Sequence, residues 1–296
     1  MSIIYIRPNY TIKVIVKIFK TIEDLQEELN LQRQRKTSIG FVPTMGALHD
    51  GHLSLIQRSL RENPITVCSI FVNQTQFNSA ADFSNYPRTE DTDIGLLEKT
   101  GCNFIFIPSH NEMYPTGKLL DINFGILETT MEGVFRPGHF KGVATVVKKF
   151  FDIIQPDAAY FGEKDFQQLV VINNMTKQFE MNVRIIGCET IREVDGLAMS
   201  SRNIHLTEME REKANEIYHT LLFARELYDK KMPAEKIKEQ IINRIKTKTP
   251  FTIQYFEIVH SETMQPLHEN DYTVPVHGCI AVLTSKTRLI DNISLT

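Results

Sequence analysis

The sequence predicts an α/β fold, with a doubly wound parallel sheet followed by a smaller α+β domain. From about residue 21 to residue 187, strand patterns alternate with helix patterns, the order that builds a parallel sheet covered by helices. The run 65–72 is continuously apolar and β-branched, as in strands buried on both faces. Beyond residue 187, two charged amphipathic helices precede short strands typical of an antiparallel sheet. We therefore predict one domain over residues 1–188 and a second over residues 189–296.

Capping and helix-breaking residues set the expected element boundaries. Thr21 is a good N-cap, Gly101 a helix terminator, and Pro156 ends the helix that precedes it. For the first domain these signals predict helices over 22–36, 53–60, 90–99, 142–154 and 166–179, and strands over 38–42, 65–72, 103–107, 158–161 and 183–186. For the second domain they predict helices over 207–231 and 233–248, and strands over 252–259, 278–284 and 287–290.

The first residues of the chain carry no acidic side chain before Glu23. Arg7 and Lys13 interrupt the apolar runs too often for a signal peptide or a membrane span, and the segment is too poor in Ser and Arg for a transit peptide. We expect residues 1–13 to be a short leader, or to run into a first strand near residues 13–17.

Composition and charge argue against a nucleic-acid partner. The chain has 296 residues, of which 42% are hydrophobic and 23% charged, and its formal net charge is -3. This balance argues against nucleic acid as a partner and restricts any anion-binding site to a local cluster. Cys68, Cys102, Cys188 and Cys279 form no CxxC pair, which predicts free thiols in a reducing cytoplasm.

Residues 42–52 join a buried strand to an amphipathic helix through a glycine-containing turn. Such a junction presents free backbone N–H groups and the positive end of a helix dipole, so it suits phosphate. His49 and His52 stand at the helix start, and Gly51 between them permits close approach of a flat group. A zinc site would need a third ligand at a suitable spacing, which we do not find; simple packing of the two rings is the other alternative. We interpret the stretch as a nucleotide site.

Four further polar stretches stand where ligands bind such sheets, near the carboxyl ends of predicted strands. They are residues 73–77, 135–140, 162–165 and 199–203. The last combines two hydroxyls with a guanidinium, which suits an anion clamp. For each stretch a plain polar turn is the alternative, and His139 alone is more simply read as structural.

These residues resemble a known family. His49-Asp50-Gly51-His52 resembles the HxGH element of the nucleotidylyl transferase superfamily, and Ser200-Ser201-Arg202 resembles its phosphate clamp. Longer strings are similar, in the same order, to those of the pantoate–β-alanine ligase family: residues 43–52, 69–73, 86–89, 136–140, 161–169, 199–203 and 288–292. The resemblance runs from about residue 14 to Asn292 and implies a Rossmann-like first domain.

The resemblance also implies a reaction and a set of partners. The carboxylate of pantoate would attack the α-phosphorus of ATP to give pantoyl adenylate and pyrophosphate, and the amine of β-alanine would then displace AMP to give pantothenate. The implied cofactors are ATP, as substrate, and Mg²⁺. The implied assembly is a homodimer in the cytoplasm, without nucleic acid or membrane partners.

The resemblance assigns roles to individual residues. The expected ATP-binding residues are Met45, Gly46, Ala47, Leu48, His49, Asp50, Gly51, His52, Gly162, Glu163, Lys164, Asp165, Ile191, Met199, Ser200, Ser201 and Arg202. Within this set, the expected catalytic residues are His52, His49, Lys164, Ser200, Ser201 and Arg202. Pantoate would be held by Gln76 and Gln168, with Asn73 and Met45 nearby, and Asp93 would be a magnesium ligand.

Two residues depart from the family pattern. Gln74 stands where the family usually has proline, and Thr92 stands where a second acidic residue is common, so magnesium would be held mainly by ATP. Two other functions compete with the ligase. A nucleotidyltransferase acting on a phosphate acceptor is disfavoured by the neutral pair Gln76 and Gln168. A regulatory module without turnover is disfavoured by the presence of all four of His49, His52, Lys164 and Ser200.

Overall fold

The computed structural model describes residues 16–267 and 272–296. The expected leader at residues 1–13 lies outside the described residues, and the first strand begins at Lys17. The elements up to residue 188 are β1 (Lys17–Phe19), α1 (Ile22–Gln34), β2 (Ile39–Thr44), α2 (Asp50–Glu62), β3 (Ile65–Ile70), α3 (Ala80–Asn85), α4 (Glu90–Thr100), β4 (Phe104–Phe106), α5 (His110–Met113), α6 (Glu132–Phe135), α7 (His139–Ile154), β5 (Ala158–Gly162), α8 (Phe166–Gln178) and β6 (Arg184–Cys188). They are followed by α9 (Glu208–Lys213), α10 (Glu216–Asp229), α11 (Ala234–Lys248), β7 (Thr252–His260), β8 (Val276–Leu283) and β9 (Arg288–Ser294).

The first six strands form a parallel sheet in the order β1-β4-β3-β2-β5-β6, which confirms the doubly wound fold. From β2 the chain builds outward in one direction through β3 and β4, and later in the other through β5 and β6. The order therefore reverses between β2 and β5. These two strands pair only at Gly40 with Ala158 and Phe41 with Ala159, so no ladder joins their carboxyl ends. A crevice at such a reversal is the usual ligand site of open α/β sheets.

Helices cover both faces of the parallel sheet, as its continuously apolar strands require. On one face α7 packs against Phe41 and Phe106. It is buried along most of its length, and apolar side chains of residues 122–131 belong to the same cluster. On the other face Ile56 of α2 and Leu97 of α4 belong to a second apolar cluster, which also includes the buried Tyr160 of β5. These layers fix the carboxyl ends of β2 and β5 relative to the start of α2.

The C-terminal part is a three-stranded antiparallel sheet, β7-β8-β9, packed against α10 and α11 around its own apolar cluster. The single helix predicted over 207–231 is wrong, because a turn at Ala214 and Asn215 separates α9 from α10. A capping box between Thr207 and Glu210 starts α9. The strand β9 extends to Ser294, beyond its predicted end. The boundary near residue 188 stays a prediction.

Candidate active site

A cavity of about 230 Å³ opens at the carboxyl ends of β2 and β5. Its wall also includes residues 189–191 and 199–202, which reach over from beyond β6. The sequence-predicted site residues that line it are Met45, His49, Gly51, His52, Asn73, Gln76, Gly162, Lys164, Asp165, Gln168, Ile191, Met199, Ser200, Ser201 and Arg202. Residues from five separate stretches of the sequence therefore meet in one cavity.

The two histidines are fixed by the start of α2. His49 is the N-cap, and its Nδ1 accepts a hydrogen bond from the Gly51 backbone N–H at 3.1 Å. The Nδ1 of His52 accepts from the His49 backbone N–H at 3.4 Å, and the ring centroids lie 4.1 Å apart. Because each Nδ1 is an acceptor, each neutral ring carries its proton on Nε2. The structure thus gives two adjacent rings, each with one N–H donor on its outer nitrogen.

Both rings are held in the neutral form. Burial lowers the pKa of His52 to about 3, with the charge of His49 acting in the same direction. Burial and the nearby Lys164 also lower the pKa of His49. At neutral pH the pair therefore consists of uncharged donors, which suits hydrogen bonding to phosphate better than delivery of a proton.

Gly51 serves the histidine pair directly. A Cβ at this position would lie 2.8 Å from Cε1 of the His49 ring, which is shorter than the contacts that Cβ atoms make in proteins. The missing side chain makes room for the N-cap ring, since His49 folds back over the first turn. Gly51 also lines the cavity, and the expected close approach of a flat group stays a prediction.

The turn before the histidines is held by Asp93, which is 1% exposed. Its carboxylate accepts from the backbone N–H groups of Ala47 at 2.9 Å and Leu48 at 2.8 Å, and from the Thr89 hydroxyl at 3.1 Å. Gly46 and Ala47 have φ values of 81° and 50°, in the left-handed region, so the turn needs this support. A carboxylate used in this way is not open to a metal ion, and the predicted role of Asp93 as a magnesium ligand does not fit the structure.

Replacing Asp93 with asparagine tests this assignment. The amide would turn a donor toward backbone N–H groups, so we expect a loss of about 1.5–3 kcal/mol in the free energy of unfolding. The magnesium concentration that gives half-maximal activity should not change. Asp91→Asn, an exposed position on the same helix, is the matched control. A raised magnesium requirement with unchanged stability would return Asp93 to the metal.

Gln76 is oriented by a set of buried partners. Asn73, 1% exposed, donates from Nδ2 to Gln76 Oε1 at 3.1 Å, and the Gln76 Nε2 lies 3.1 Å from Met45 Sδ. The Asn73 oxygen accepts from the Tyr114 hydroxyl at 2.9 Å. His139 Nδ1 lies 2.8 Å from the Gln76 carbonyl oxygen. The Gln76 oxygen is therefore used by the protein, and its NH₂ group is the part that can serve a ligand in the cavity.

The turn after β5 carries the charged groups. Lys164 Nζ lies 4.0 Å from the Asp165 carboxylate, and Gln168 follows one helical turn later on the same side of the cavity. Facing them, the Ser200 hydroxyl accepts from the Arg202 backbone N–H at 3.2 Å, and the Arg202 guanidinium pairs with Asp82 at 3.3 Å. The cations Lys164 and Arg202 keep the pKa of Asp165 below its ordinary value, although partial desolvation in the cleft opposes this. Asp165 is thus an anion, not a proton donor, at neutral pH.

Some predicted ATP-binding residues do not line the cavity: Gly46, Ala47, Leu48, Asp50 and Glu163. The first three form the supported turn, Asp50 is exposed at the first helical position, and Glu163 packs beside Gly187. Only backbone groups of the turn remain available for the role that the resemblance implies, which stays a prediction.

Several cavity residues were given no role from the sequence. Arg136 lies in the wall, where it donates to His139 Nε2 at 3.0 Å and approaches Glu132 at 3.7 Å. Tyr86 lines the cavity together with Ser201. One face of α7 forms an apolar wall of the cavity, made of Val143, Val146, Val147 and Phe150. The i, i+3, i+4, i+7 spacing of that wall was visible in the sequence, but it is the spacing of any core helix.

Magnesium was the other expected component. In residues 16–267 and 272–296, no group of three or more His, Cys, Asp or Glu side chains is placed to hold a metal ion. The residues present therefore do not form a metal cage.

A neutral histidine pair at a helix start, facing a lysine-bearing turn across the reversal point of a parallel sheet, is typical of a protein that binds a phosphorylated ligand such as a nucleotide. The particular family follows from comparison with known proteins. The chain belongs to the pantoate-beta-alanine ligase family, whose model matches residues 17–294.

Named relatives and solved structures agree with this. A pantothenate synthetase from Bacteroides thetaiotaomicron is 47% identical over 278 residues, covering 94% of this chain and 98% of that protein. The crystal structure of pantothenate synthetase from Thermus thermophilus superposes with a TM-score of 0.88 at 39% identity, covering 95% of this chain and 99% of that one. The pantoate-beta-alanine ligase from Francisella tularensis, solved with beta-gamma ATP and beta-alanine, gives a TM-score of 0.80 at 37% identity, covering 95% and 98%.

Proposed function

We propose that this cavity joins pantoate to β-alanine at the expense of ATP, releasing AMP and pyrophosphate through a pantoyl-adenylate intermediate. The observation that carries the proposal is the composition of one cavity. Uncharged imidazole donors and cations line one part of it, and the amides of Gln76 and Gln168 line another, beside the apolar wall of α7. The donors and cations suit a polyanion, and the amides beside the apolar wall suit a small branched carboxylic acid.

In the first step an anion attacks a polyanion, so positioning and fixed positive charge lower the barrier. Lys164 and Arg202 would neutralise the phosphate oxygens. The Nε2–H groups of His49 and His52 would donate to oxygens whose negative charge grows as pyrophosphate leaves. Ser200 and Ser201 would complete the clamp over the phosphates. For Arg202 this means exchanging its contact with Asp82 for a contact with ATP.

Pantoate would lie between the amides and the apolar wall. The Gln76 NH₂ group and the Gln168 amide would orient its carboxylate and hydroxyls without the strong ion pair that would reduce nucleophilicity. Its two methyl groups would pack on Val143, Val147 and neighbouring side chains of α7. In the second step the amine of β-alanine attacks the acyl carbon, the acyl–phosphate bond breaks, and AMP leaves.

The cofactor, assembly and location are also proposals. Since the residues present form no metal cage, Mg²⁺ would arrive as the complex with ATP. A homodimer is proposed on the family resemblance and is tested by sedimentation velocity. A cytoplasmic location is supported by four free cysteines. None of the helices in the described parts of the chain is long and apolar enough to cross a bilayer.

One assay separates the ligase from its two competitors. The protein is incubated with ATP and magnesium, with and without pantoate and β-alanine, and nucleotides are followed by chromatography. AMP and pyrophosphate that accumulate only with both substrates support the ligase. Turnover independent of pantoate would indicate a transferase, and binding of ATP without turnover would indicate the regulatory module.

Gln74→Pro tests the assignment of the pantoate loop. Gln74 is exposed and starts the 3₁₀ helix Gln74–Gln76, while Asn73 is already extended at φ −81° and ψ 105°, so proline fits at this position. We expect a stiffer loop and a lower KM for pantoate, with the KM for ATP unchanged. An effect on ATP alone would show that residues 73–77 do not hold pantoate.

A further inference from the structure

The last strand, β9, contains the string 288–292, which matches the family's C-terminal end but has no role so far. Successive side chains of a strand point to opposite faces. Leu289 packs in the C-terminal core, whereas Arg288 and Asn292 on the other face reach the first sheet domain. The strand therefore contacts the active-site side of the molecule directly.

Asn292 binds the turn that carries Lys164. It is 8% exposed, and its Nδ2 donates to the carbonyl oxygens of Glu163 at 2.9 Å and Lys164 at 3.0 Å. Both hydrogens of the amide are thus used on consecutive peptide groups of the 3₁₀ helix Glu163–Asp165. Two bonds to adjacent carbonyls fix the rotation of the turn as well as its distance from β9.

The neighbouring residue, Asp291, binds the other phosphate segment. Its carboxylate accepts two hydrogen bonds from the Arg192 guanidinium, at 2.6 Å and 3.0 Å. Arg192 lies in a short hairpin that is closed by a hydrogen bond from the Met199 N–H to the Ile191 carbonyl at 3.0 Å. That hairpin leads directly into the clamp at residues 200–202. Two adjacent residues of one strand therefore hold the two segments that face each other across the cavity.

We propose that Asn292 is a positioning residue for adenylate formation, fixing the Lys164 turn at the correct distance from the clamp that Asp291 anchors through Arg192. The proposal rests on the phosphate role of Lys164 given above. Without the Asn292 amide the two carbonyls lose their shared donor, and the turn is free to rotate and carry Lys164 away from the phosphates.

The test is pantoate-dependent exchange of labelled pyrophosphate into ATP, which reports the first step alone. Asn292→Ala should lower kcat/KM for ATP by roughly tenfold to a hundredfold, the range for a small misplacement of a catalytic group. The KM for pantoate should change little. Asn243→Ala is the matched control, since Asn243 is exposed on α11.

A double-mutant cycle with Lys164→Ala distinguishes positioning from general damage. If Asn292 acts through Lys164, Asn292→Ala should have no further effect in the Lys164→Ala background. An equal loss in both backgrounds, or no loss in the native background, would overturn the positioning role. Near-native exchange by Lys164→Ala alone would instead overturn the phosphate role of Lys164. Should Asn292→Ala fail to fold, Asn292→Ser, which keeps one shorter donor, enters the same cycle with the same expectation.

Discussion

Replacing His52 with alanine is expected to lower kcat by more than about a hundredfold, the effect of removing one preorganised donor from a developing oxyanion. The reason is that His52 is partly buried and neutral, with its only N–H on the nitrogen not used by the His49 backbone. The donor is already aligned and needs no reorganisation when charge moves onto the departing pyrophosphate. Single-turnover formation of pantoyl adenylate measures the step directly.

Two further variants sharpen this prediction. His52→Gln keeps an uncharged N–H donor and should recover part of the lost rate, whereas it could not replace a general acid. His219→Ala, at a half-exposed position on α10, is the matched control. A His52→Ala enzyme with near-native adenylate formation would remove His52 from the first step.

Replacing Arg288 with methionine is expected to lower the free energy of unfolding by about 3 kcal/mol, the lower end of the cost of unpairing a buried charge, because Arg136 still lies 3.7 Å from Glu132. Glu132 is 6% exposed, and its carboxylate accepts from Arg288 Nη1 at 2.7 Å and from the Tyr255 hydroxyl at 2.7 Å. Burial alone would raise the pKa of Glu132, but the Arg288 guanidinium outweighs this effect and holds the pKa below its ordinary value. Urea unfolding measures the change.

The double variant Glu132→Gln, Arg288→Met provides the comparison. Removing the charge together with its partner should restore part of the stability, because no unpaired carboxylate remains. Equal stability of the single and double variants would contradict the assignment of Glu132 and Arg288 as a buried ion pair. A loss below about 1 kcal/mol for Arg288→Met would also contradict it, since that is the contribution of an exposed ion pair.

The sequence predicted those parts of the site that depend on local chain geometry. His49 and His52 belong to one helix start, and Gln76, Lys164 and Arg202 each follow a recognisable element, so capping signals and strand ends placed them correctly.

The sequence could not show contacts made across the fold. Asp93 was expected to be a metal ligand because the family commonly has acidic residues shortly after the string at residues 86–89. Its actual partners are backbone groups some 45 residues away along the chain. The α7 wall was missed for the same reason: apolar side chains on a core helix look alike until the cavity on one side is known. The role of Asn292 could not be predicted from residue types, since its partners are the peptide carbonyls of Glu163 and Lys164.

The short pairing between β2 and β5 explains a proline in the middle of a sheet. Pro43 lies in β2, a central strand, where a missing N–H normally breaks the ladder. The Thr44 carbonyl accepts from Phe71 on the β3 side, so by alternation the nitrogen of Pro43 faces β5, beyond the last paired residues. Proline is tolerated there because the ladder has already ended. In related sequences, a proline near the end of an otherwise apolar central strand can therefore mark where the sheet opens.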